Sequence, residues 1–359
     1  MQQMRNARII LVLFVLVVSN MTSVVAFPVH IGEQPMSGPL MTHDTIIWAG
    51  LHYCQNLYRE SPISSVDSDN IFQELVQWYT IQPTIVYVSY NEPSMTIKFI
   101  DGSYVVIFDV ISTLRGSLFL NEPYDTFPAS FIVSSSPQTN QGKTAVLLNP
   151  AEYVYGHRHC QQIATMLIRK GYNLVYRENQ DVTLSYLRQN LTADVLYMNT
   201  HAGYWDIDGD NTSDQVIIAS GEEWTNETPQ KYPFEYEHYY IVEGIVGERS
   251  FIAFTPGFIH YYYSEQLFPD SLIYMATCFA STDDSMAHAF LTNGASTYVG
   301  WSQNTVFYTN SITSVKAFRL LTLGCTVKLT CSIIRSGGFL NWLLQTKLIY
   351  YGDGSHKIP

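Results

Sequence analysis

From Lys143 onward, the chain alternates between short apolar runs and amphipathic stretches. Unbroken apolar runs bounded by polar residues predict strands that are buried on both faces. The predicted strands are 144–148, 173–176, 195–199, 215–219, 272–276 and 296–300. Helical spacing predicts helices over 158–170, from Thr183 onward, and over 285–291 and 311–323. Strands that alternate with amphipathic helices predict an α/β fold whose mostly parallel sheet lies between helices.

The part of the chain before Asn140 has a different pattern. Helical spacing at 45–59 and 71–79 is followed by two stretches typical of strands, 84–90 and 96–108, and Asp101-Gly102 predicts a hairpin turn in the second. Residues 27–140 are therefore predicted to form a small α+β region, and residues 143–359 a second domain. The composition of the first region is compatible with an inhibitory prodomain, a folding partner for the sheet or an adhesion module.

Residues 1–26 have the pattern of a secretory signal peptide. Arg5 and Arg8 precede an apolar run from Ile9 to Val18, and Ala26 offers a small residue for cleavage. The run is short for a membrane span, which needs about 20 apolar residues, and an uncleaved anchor reaching Phe27 is the alternative. We therefore expect an extracellular or cell-surface protein with no membrane span beyond this segment.

Composition narrows the classes of function. The chain is 47% hydrophobic, as expected of a packed globular protein, and its 31 acidic residues outnumber 19 basic ones. A nucleic-acid partner is not expected, because such surfaces need clustered basic groups. The five cysteines are an odd number, so at least one thiol of an exported chain is expected to stay unpaired, either as a buried apolar residue or as a nucleophile.

Two loops carry a candidate catalytic pair. In an open α/β sheet, reacting groups collect beyond the carboxyl ends of the strands. The strand 195–199 leads to His201, and the strand 272–276 leads to Cys278. An imidazole can take the proton of a thiol and so produce the nucleophilic thiolate, which requires no metal or redox cofactor. Ala202 and Gly203 are small enough for a backbone N–H to approach a developing oxyanion.

The blocks around these residues resemble those of the caspase-like cysteine peptidases, which include caspases, legumains, clostripains and gingipains. The blocks are DVLYMNTHAG, SLIYMATC and AHAFLTNGASTYVGW, and the last is most similar to the gingipain-like branch. The resemblance covers residues 143–325 and implies a caspase-like fold and a cysteine endopeptidase acting through a thioester acyl-enzyme. It implies that His201 is the general base and Cys278 the nucleophile. The N–H of Cys278 and one from Ala202 or Gly203 would form the oxyanion hole, although the family usually has Gly directly after the histidine.

Four aspartates follow His201: Asp206, Asp208, Asp210 and Asp214. An acidic pocket containing Asp206 would favour Arg or Lys before the scissile bond, whereas the simplest interpretation is a solvated acidic loop. A third interpretation is a structural calcium site, because the four occupy positions one, three, five and nine of a calcium-binding loop. Position twelve, usually Glu, is Ile217. Trp301 is expected either to line a substrate pocket or to pack in the core.

The sequence therefore predicts a secreted cysteine endopeptidase acting on protein or peptide substrates. One alternative is an inactive protein of the same fold that binds a ligand through the aromatic segment Lys231 to Tyr263. Another is a hydrolase or acyltransferase that uses the same dyad on a non-peptide acyl group. The sequence does not determine the oligomeric state.

Overall fold

A computed structural model describes residues 42–60, 68–91, 94–108, 142–265, 267–268, 270–305, 307–335 and 345–359. The predicted signal peptide and most of the predicted linker at 134–143 lie outside these residues. The chain divides into two compact units, Met1–Pro83 and Thr84–Pro359.

The first unit contains two helices, α1 (His43–Glu60) and α2 (Ser68–Thr80), in agreement with the helical spacing of the sequence. Their buried residues include Leu51 of α1 and Leu75 of α2. The Tyr79 hydroxyl donates a hydrogen bond to the Ile47 carbonyl oxygen at 2.7 Å. At Gly50, a Cβ atom would lie 2.6 Å from the Tyr79 ring, so the absence of a side chain permits the close approach of the two helices.

The second unit contains a six-stranded sheet at the place where the sequence predicts one. Its strand order is β13-β12-β11-β6-β4-β5. The strands are β4 (Thr144–Asn149), β5 (Asn173–Glu178), β6 (Val195–Asn199), β11 (Leu272–Ala276), β12 (Thr297–Trp301) and β13 (Leu348–Gly352). Only the pairing of β13 with β12 is antiparallel. The fold is therefore α/β with a mostly parallel sheet, as predicted.

Both faces of this sheet are covered. The helices of the second unit are α3 (Glu152–Tyr155), α4 (Arg158–Arg169), α5 (Leu184–Leu187), α6 (Thr228–Lys231), α7 (Pro233–Glu237), α8 (Pro256–Tyr262), α9 (Ser285–Thr292), α10 (Phe307–Thr322) and α11 (Val327–Ile334). Helices α4, α10 and α11 pack on one face. Helices α5, α8 and α9 pack on the other, together with residues of a second sheet. The predicted helix from Thr183 is only one turn long, capped by the Thr183 hydroxyl.

The sequence predicts strands at 84–90, 96–108 and 215–219 but not the second sheet that joins them. Residues 215–219 belong to this sheet and not to the parallel one, because their strand pairs only with antiparallel neighbours. The seven strands of the second sheet have the order β1-β2-β3-β9-β10-β8-β7. They are β1 (Ile85–Asn91), β2 (Ser94–Phe99), β3 (Tyr104–Ile107), β7 (Ala202–Trp205), β8 (Gln215–Glu223), β9 (Ile241–Val246) and β10 (Arg249–Phe254). Strand β3 pairs in parallel with β9. Strands from the predicted N-terminal region therefore share a sheet with the later domain, and the predicted division at 140–143 does not separate them.

The structure contains no helix long and apolar enough to cross a membrane within its described residues.

Three buried asparagines join the carboxyl ends of the parallel strands. Asn199 donates to the Asn149 side-chain oxygen at 2.7 Å. Asn310 of α10 donates to the Asn199 side-chain oxygen at 3.3 Å and to the Ala276 carbonyl at 2.9 Å, and it accepts from the Trp301 ring nitrogen at 2.8 Å. This amide network links β4, β6, β11 and β12 in a region from which water is excluded, where each amide depends on its partners.

We expect Asn199→Ala to lower the free energy of unfolding by about 2–4 kcal/mol, because the buried amides of Asn149 and Asn310 would each lose a partner. Urea unfolding followed by circular dichroism measures this. Asn173→Ala, at an exposed position on β5, is the matched control and should change stability by less than about 0.5 kcal/mol. Equal losses in the two variants would show that the network contributes no special stability.

Candidate functional site

The predicted catalytic residues follow two neighbouring parallel strands. In the pairing of β11 with β6, Ala276 lies opposite Asn199, the last residue of each strand. Cys278 and His201 each follow that pair by two residues. Paired strands lie about 4.8 Å apart, so the register places both residues at the same edge of the sheet. The structure therefore places His201 and Cys278 at the carboxyl ends of two neighbouring strands.

At His201 the chain passes from the first sheet to the second. Its carbonyl oxygen accepts a hydrogen bond from the Ala219 N–H of β8 at 2.9 Å. The side chain is half-buried. Burial, followed by the positive charge of Arg249, lowers the pKa of His201 to about 4. The imidazole is therefore neutral at pH 7 and able to accept a proton, although it is a weak base.

The Cys278 thiol lies against the loop that follows β12. The side chain is half-buried, and its sulfur lies 3.1 Å from the Asn304 side-chain oxygen. The Thr305 N–H donates a hydrogen bond to the same sulfur at 3.2 Å. The thiol is therefore partly accessible and in contact with polar groups.

The residue after Cys278 has an unusual backbone conformation. Phe279 has a φ of 56°, in the left-handed region that a bulky side chain rarely adopts. Its buried ring packs edge to face on Tyr204 of β7, with ring centroids 5.8 Å apart. This contact connects the cysteine loop to the strand that follows His201. Such strained conformations are enriched at functional sites, where the surrounding packing maintains them.

The strand pairing distinguishes the two candidates for the oxyanion hole. Ala202 and Gly203 lie in β7, opposite Ile218 and Ile217 of β8. Because Ala219 donates to His201, the alternation of an antiparallel ladder directs the Ala202 N–H away from β8 and the Gly203 N–H towards it. The N–H of Tyr204 has the same orientation as that of Ala202, and it donates to the Ser94 hydroxyl at 3.4 Å. Ala202 is therefore the better candidate donor.

A cavity of about 450 Å³ opens beside this edge of the sheet. Its lining residues are Pro150, Tyr153, Glu178, Asn179, Gln180, Asp181, Gly221, Arg249 and Phe251. Ala219, which binds the His201 carbonyl, lies opposite Ala253 of β10, and Phe251 lies two residues further along that strand, a distance of about 7 Å. The cavity therefore lies on the His201 side of this edge, although neither His201 nor Cys278 is among its lining residues.

Arg249 is the positively charged group in the cavity wall. Its guanidinium carbon lies 4.1 Å from the centre of the Tyr153 ring, and Nη2 lies 2.6 Å from Glu223 Oε1. The sequence analysis did not identify this residue, because it lies in the second sheet. Glu178 is the last residue of β5 and Asp181 follows it, so the rule that sites form at the carboxyl ends of strands could have identified them.

Trp301 does not line this cavity. Its side chain is fully buried and donates to Asn310, so the structure places it in the core. The expectation that Trp301 lines a substrate pocket is therefore corrected, because the ring is enclosed between β12 and α10.

Asp206 also has an internal role. It is 2% exposed, and its carboxylate accepts hydrogen bonds from the N–H groups of Gly209 and Asn211 and from the Ser89 hydroxyl. This position does not favour the expected contact between Asp206 and a substrate, because the carboxylate is buried and its hydrogen bonds stabilise the loop.

The acidic loop gathers three of the four predicted calcium ligands. Carboxylate oxygens of Asp206, Asp208 and Asp210 lie within 4.8 Å of one another. Asp214 is not part of this group, and its carboxylate accepts from the Ile207 N–H at 2.6 Å. Asn211, at the sixth position, has a φ of 66°, which bends the loop sharply. Three oxygens at this spacing are compatible with a hard cation such as Ca²⁺.

All five cysteines lie within the described residues and are free thiols: Cys54, Cys160, Cys278, Cys325 and Cys331. Burial raises the pKa of Cys54 and of Cys331 to about 12 and that of Cys160 well above its usual range, which disfavours their thiolates. Cys278 and Cys325 are only half-buried. Of these two, Cys278 follows a strand of the parallel sheet whose neighbour, β6, leads to His201.

No family model, curated protein or solved structure matches this chain.

Proposed function

We propose that the protein is a cysteine endopeptidase in which Cys278 is the nucleophile and His201 the general base. The observation that carries the proposal is the register of β6 and β11, from which both residues follow by two positions. This arrangement has the order that the resemblance to caspase-like peptidases implies, with a histidine after one core strand and a cysteine after its neighbour. The strained backbone at Phe279 adds support.

The proposed reaction proceeds in two steps. His201 accepts the proton of the Cys278 thiol, and the sulfur attacks the carbonyl carbon of the peptide bond. The C–N bond breaks, and His201 returns the proton to the leaving amine, which leaves a thioester on Cys278. His201 then takes a proton from water, the hydroxide attacks the thioester, and the proton passes to the departing sulfur. The acid product leaves and the thiol is restored.

Backbone groups would stabilise the intermediates of both steps. Each step places negative charge on the former carbonyl oxygen, and the N–H groups of Ala202 and Cys278 are the proposed donors. The cavity beside His201 would take part of the substrate chain on the side of Arg249, Glu178 and Asp181. As part of the same proposal, the fold is caspase-like and the protein is exported. Residues 1–26 would direct this export.

Cys278→Ala and His201→Ala should each reduce cleavage of an unfolded protein substrate by at least about a hundredfold, because the nucleophile or its base is removed. Labelled casein and a peptide library, followed by fluorescence and mass spectrometry, measure this. Cys325→Ala and His288→Ala are the matched controls, since Cys325 is also half-buried and His288 is exposed, and both should retain activity.

Two results would contradict the peptidase proposal in different ways. If folded wild-type protein cleaves no peptide but hydrolyses thioesters in a Cys278-dependent manner, the substrate is a non-peptide acyl group. If Cys278 is alkylated no faster than Cys325, the inactive binding protein is favoured.

The rate of Cys278 alkylation by iodoacetamide should fall as the pH decreases through about 4, because protonated His201 no longer accepts the thiol proton. Arg249→Gln removes a positive charge that lowers the pKa of His201, so the fall should move to higher pH. Arg177→Gln, which removes a positive charge from β5, should leave the pH at which the alkylation rate falls unchanged. An unchanged pH profile in Arg249→Gln would show that Arg249 does not influence the base.

We also propose Ca²⁺ as a structural ion of the acidic loop, on the basis of the three clustered carboxylates. A Ca²⁺ concentration tenfold above the dissociation constant should raise the melting temperature by about 2–3 °C. The rise should disappear in an Asp208→Asn, Asp210→Asn double variant and persist in Glu248→Gln, which removes an exposed acid elsewhere. If Ca²⁺ has the same effect on the double variant as on wild type, the ion does not bind at this loop.

A further inference from the structure

We propose that Asn304 is a positioning residue for Cys278 that holds the sulfur in both of its protonation states. The inference rests on the proposed function, because it concerns the same thiol, and it adds a residue that neither the sequence pattern nor the resemblance identifies. Asn304 lies in the loop after β12, 26 positions from Cys278 in the chain.

Three groups from this loop contact the sulfur, and the most distant is the Thr305 carbonyl oxygen at 3.5 Å. The Thr305 N–H donates to Cys278 Sγ at 3.2 Å. The thiol in turn donates to Asn304 Oδ1 at 3.1 Å. A fixed N–H donor favours the thiolate, whereas an oxygen acceptor favours the thiol.

The loop is held along the cysteine segment by several hydrogen bonds. Phe279 N–H donates to the Gln303 carbonyl at 3.3 Å, and Ser281 N–H donates to the Trp301 carbonyl at 2.9 Å. On the other side, Ser302 N–H donates to the Lys347 carbonyl at 2.9 Å. These hydrogen bonds fix the backbone of the loop and so keep Asn304 and Thr305 beside the sulfur.

The carboxamide of Asn304 can serve both states because it carries an acceptor oxygen and a donor NH₂ at opposite corners. When the sulfur is protonated, Oδ1 accepts its proton. When His201 takes the proton, rotation of the amide by half a turn presents Nδ2 to the thiolate, which then receives two N–H hydrogen bonds. Charge-assisted hydrogen bonds of this kind are stronger than those to a neutral group. Asn304 would therefore stabilise the nucleophile after proton transfer.

The test replaces the amide with a group that lacks the donor. Asn304→Asp has nearly the same shape but places a carboxylate beside the sulfur. We expect the apparent pKa of Cys278, measured from the pH dependence of alkylation by peptide mass, to rise by about one unit or more, which slows alkylation about tenfold or more at pH values below that pKa. Asn304→Ala should give a smaller rise, because it removes the amide donor without placing a negative charge beside the sulfur.

Gln303→Glu is the matched control. It adds the same charge to the same loop at an exposed position, and it should change the alkylation rate by less than about threefold. If Asn304→Asp and Gln303→Glu have equal effects, or if Asn304→Asp has the pH profile of wild type, Asn304 does not position the sulfur. Equal thermal melting of the variants shows that a difference in rate does not arise from unfolding.

The two proposals fail separately. If wild-type protein cleaves peptides but Asn304→Asp leaves the alkylation profile unchanged, the inference about Asn304 is wrong and the peptidase proposal stands. If no peptide is cleaved but Asn304→Asp raises the apparent pKa of the thiol, Asn304 positions the sulfur and the peptidase proposal is wrong.

Discussion

The parallel pairing of β6 with β11 is the constraint on which the candidate site depends. Hydrogen bonds between the two strands set Ala276 against Asn199, and two further residues in each chain lead to Cys278 and His201. A shift of one residue would turn every side chain of one strand to the opposite face. Because both faces are buried, such a shift would place the wrong side chains in two cores. The register that packs the sheet therefore also sets the position of the candidate dyad.

The amide network stabilises the carboxyl ends of the same strands. Asn149, Asn199 and Asn310 connect the ends of the strands through side-chain hydrogen bonds in a buried region. Buried amides have few alternative partners, so they restrict both the register of the strands and the position of α10. The second sheet contributes from the side, since β8 binds the His201 carbonyl and β10 provides Arg249. The environment of the histidine is thus formed by residues from both sheets.

The sequence-based predictions were accurate for elements that neighbouring residues define, and inaccurate where residues distant along the chain decide the structure. The predicted strands 195–199 and 272–276 have the bounds of β6 and β11, because a buried run flanked by polar residues defines its own ends. The helix predicted from Thr183 was too long, because Leu191 is buried by tertiary packing outside the single turn of α5. The second sheet was missed because β3 pairs with β9, more than 130 residues later, and local patterns carry no signal of such pairing.

The sequence by itself determined the α/β class, the central strands and the presence of a histidine and a cysteine at their carboxyl ends, since each of these follows from the order of neighbouring residues. Tertiary structure alone decided which groups surround them. It buried Trp301 and the Asp206 carboxylate, directed the Ala202 N–H away from β8, and placed Arg249 near the imidazole. The physical reason is that burial and charge act through space, between residues that are distant along the chain.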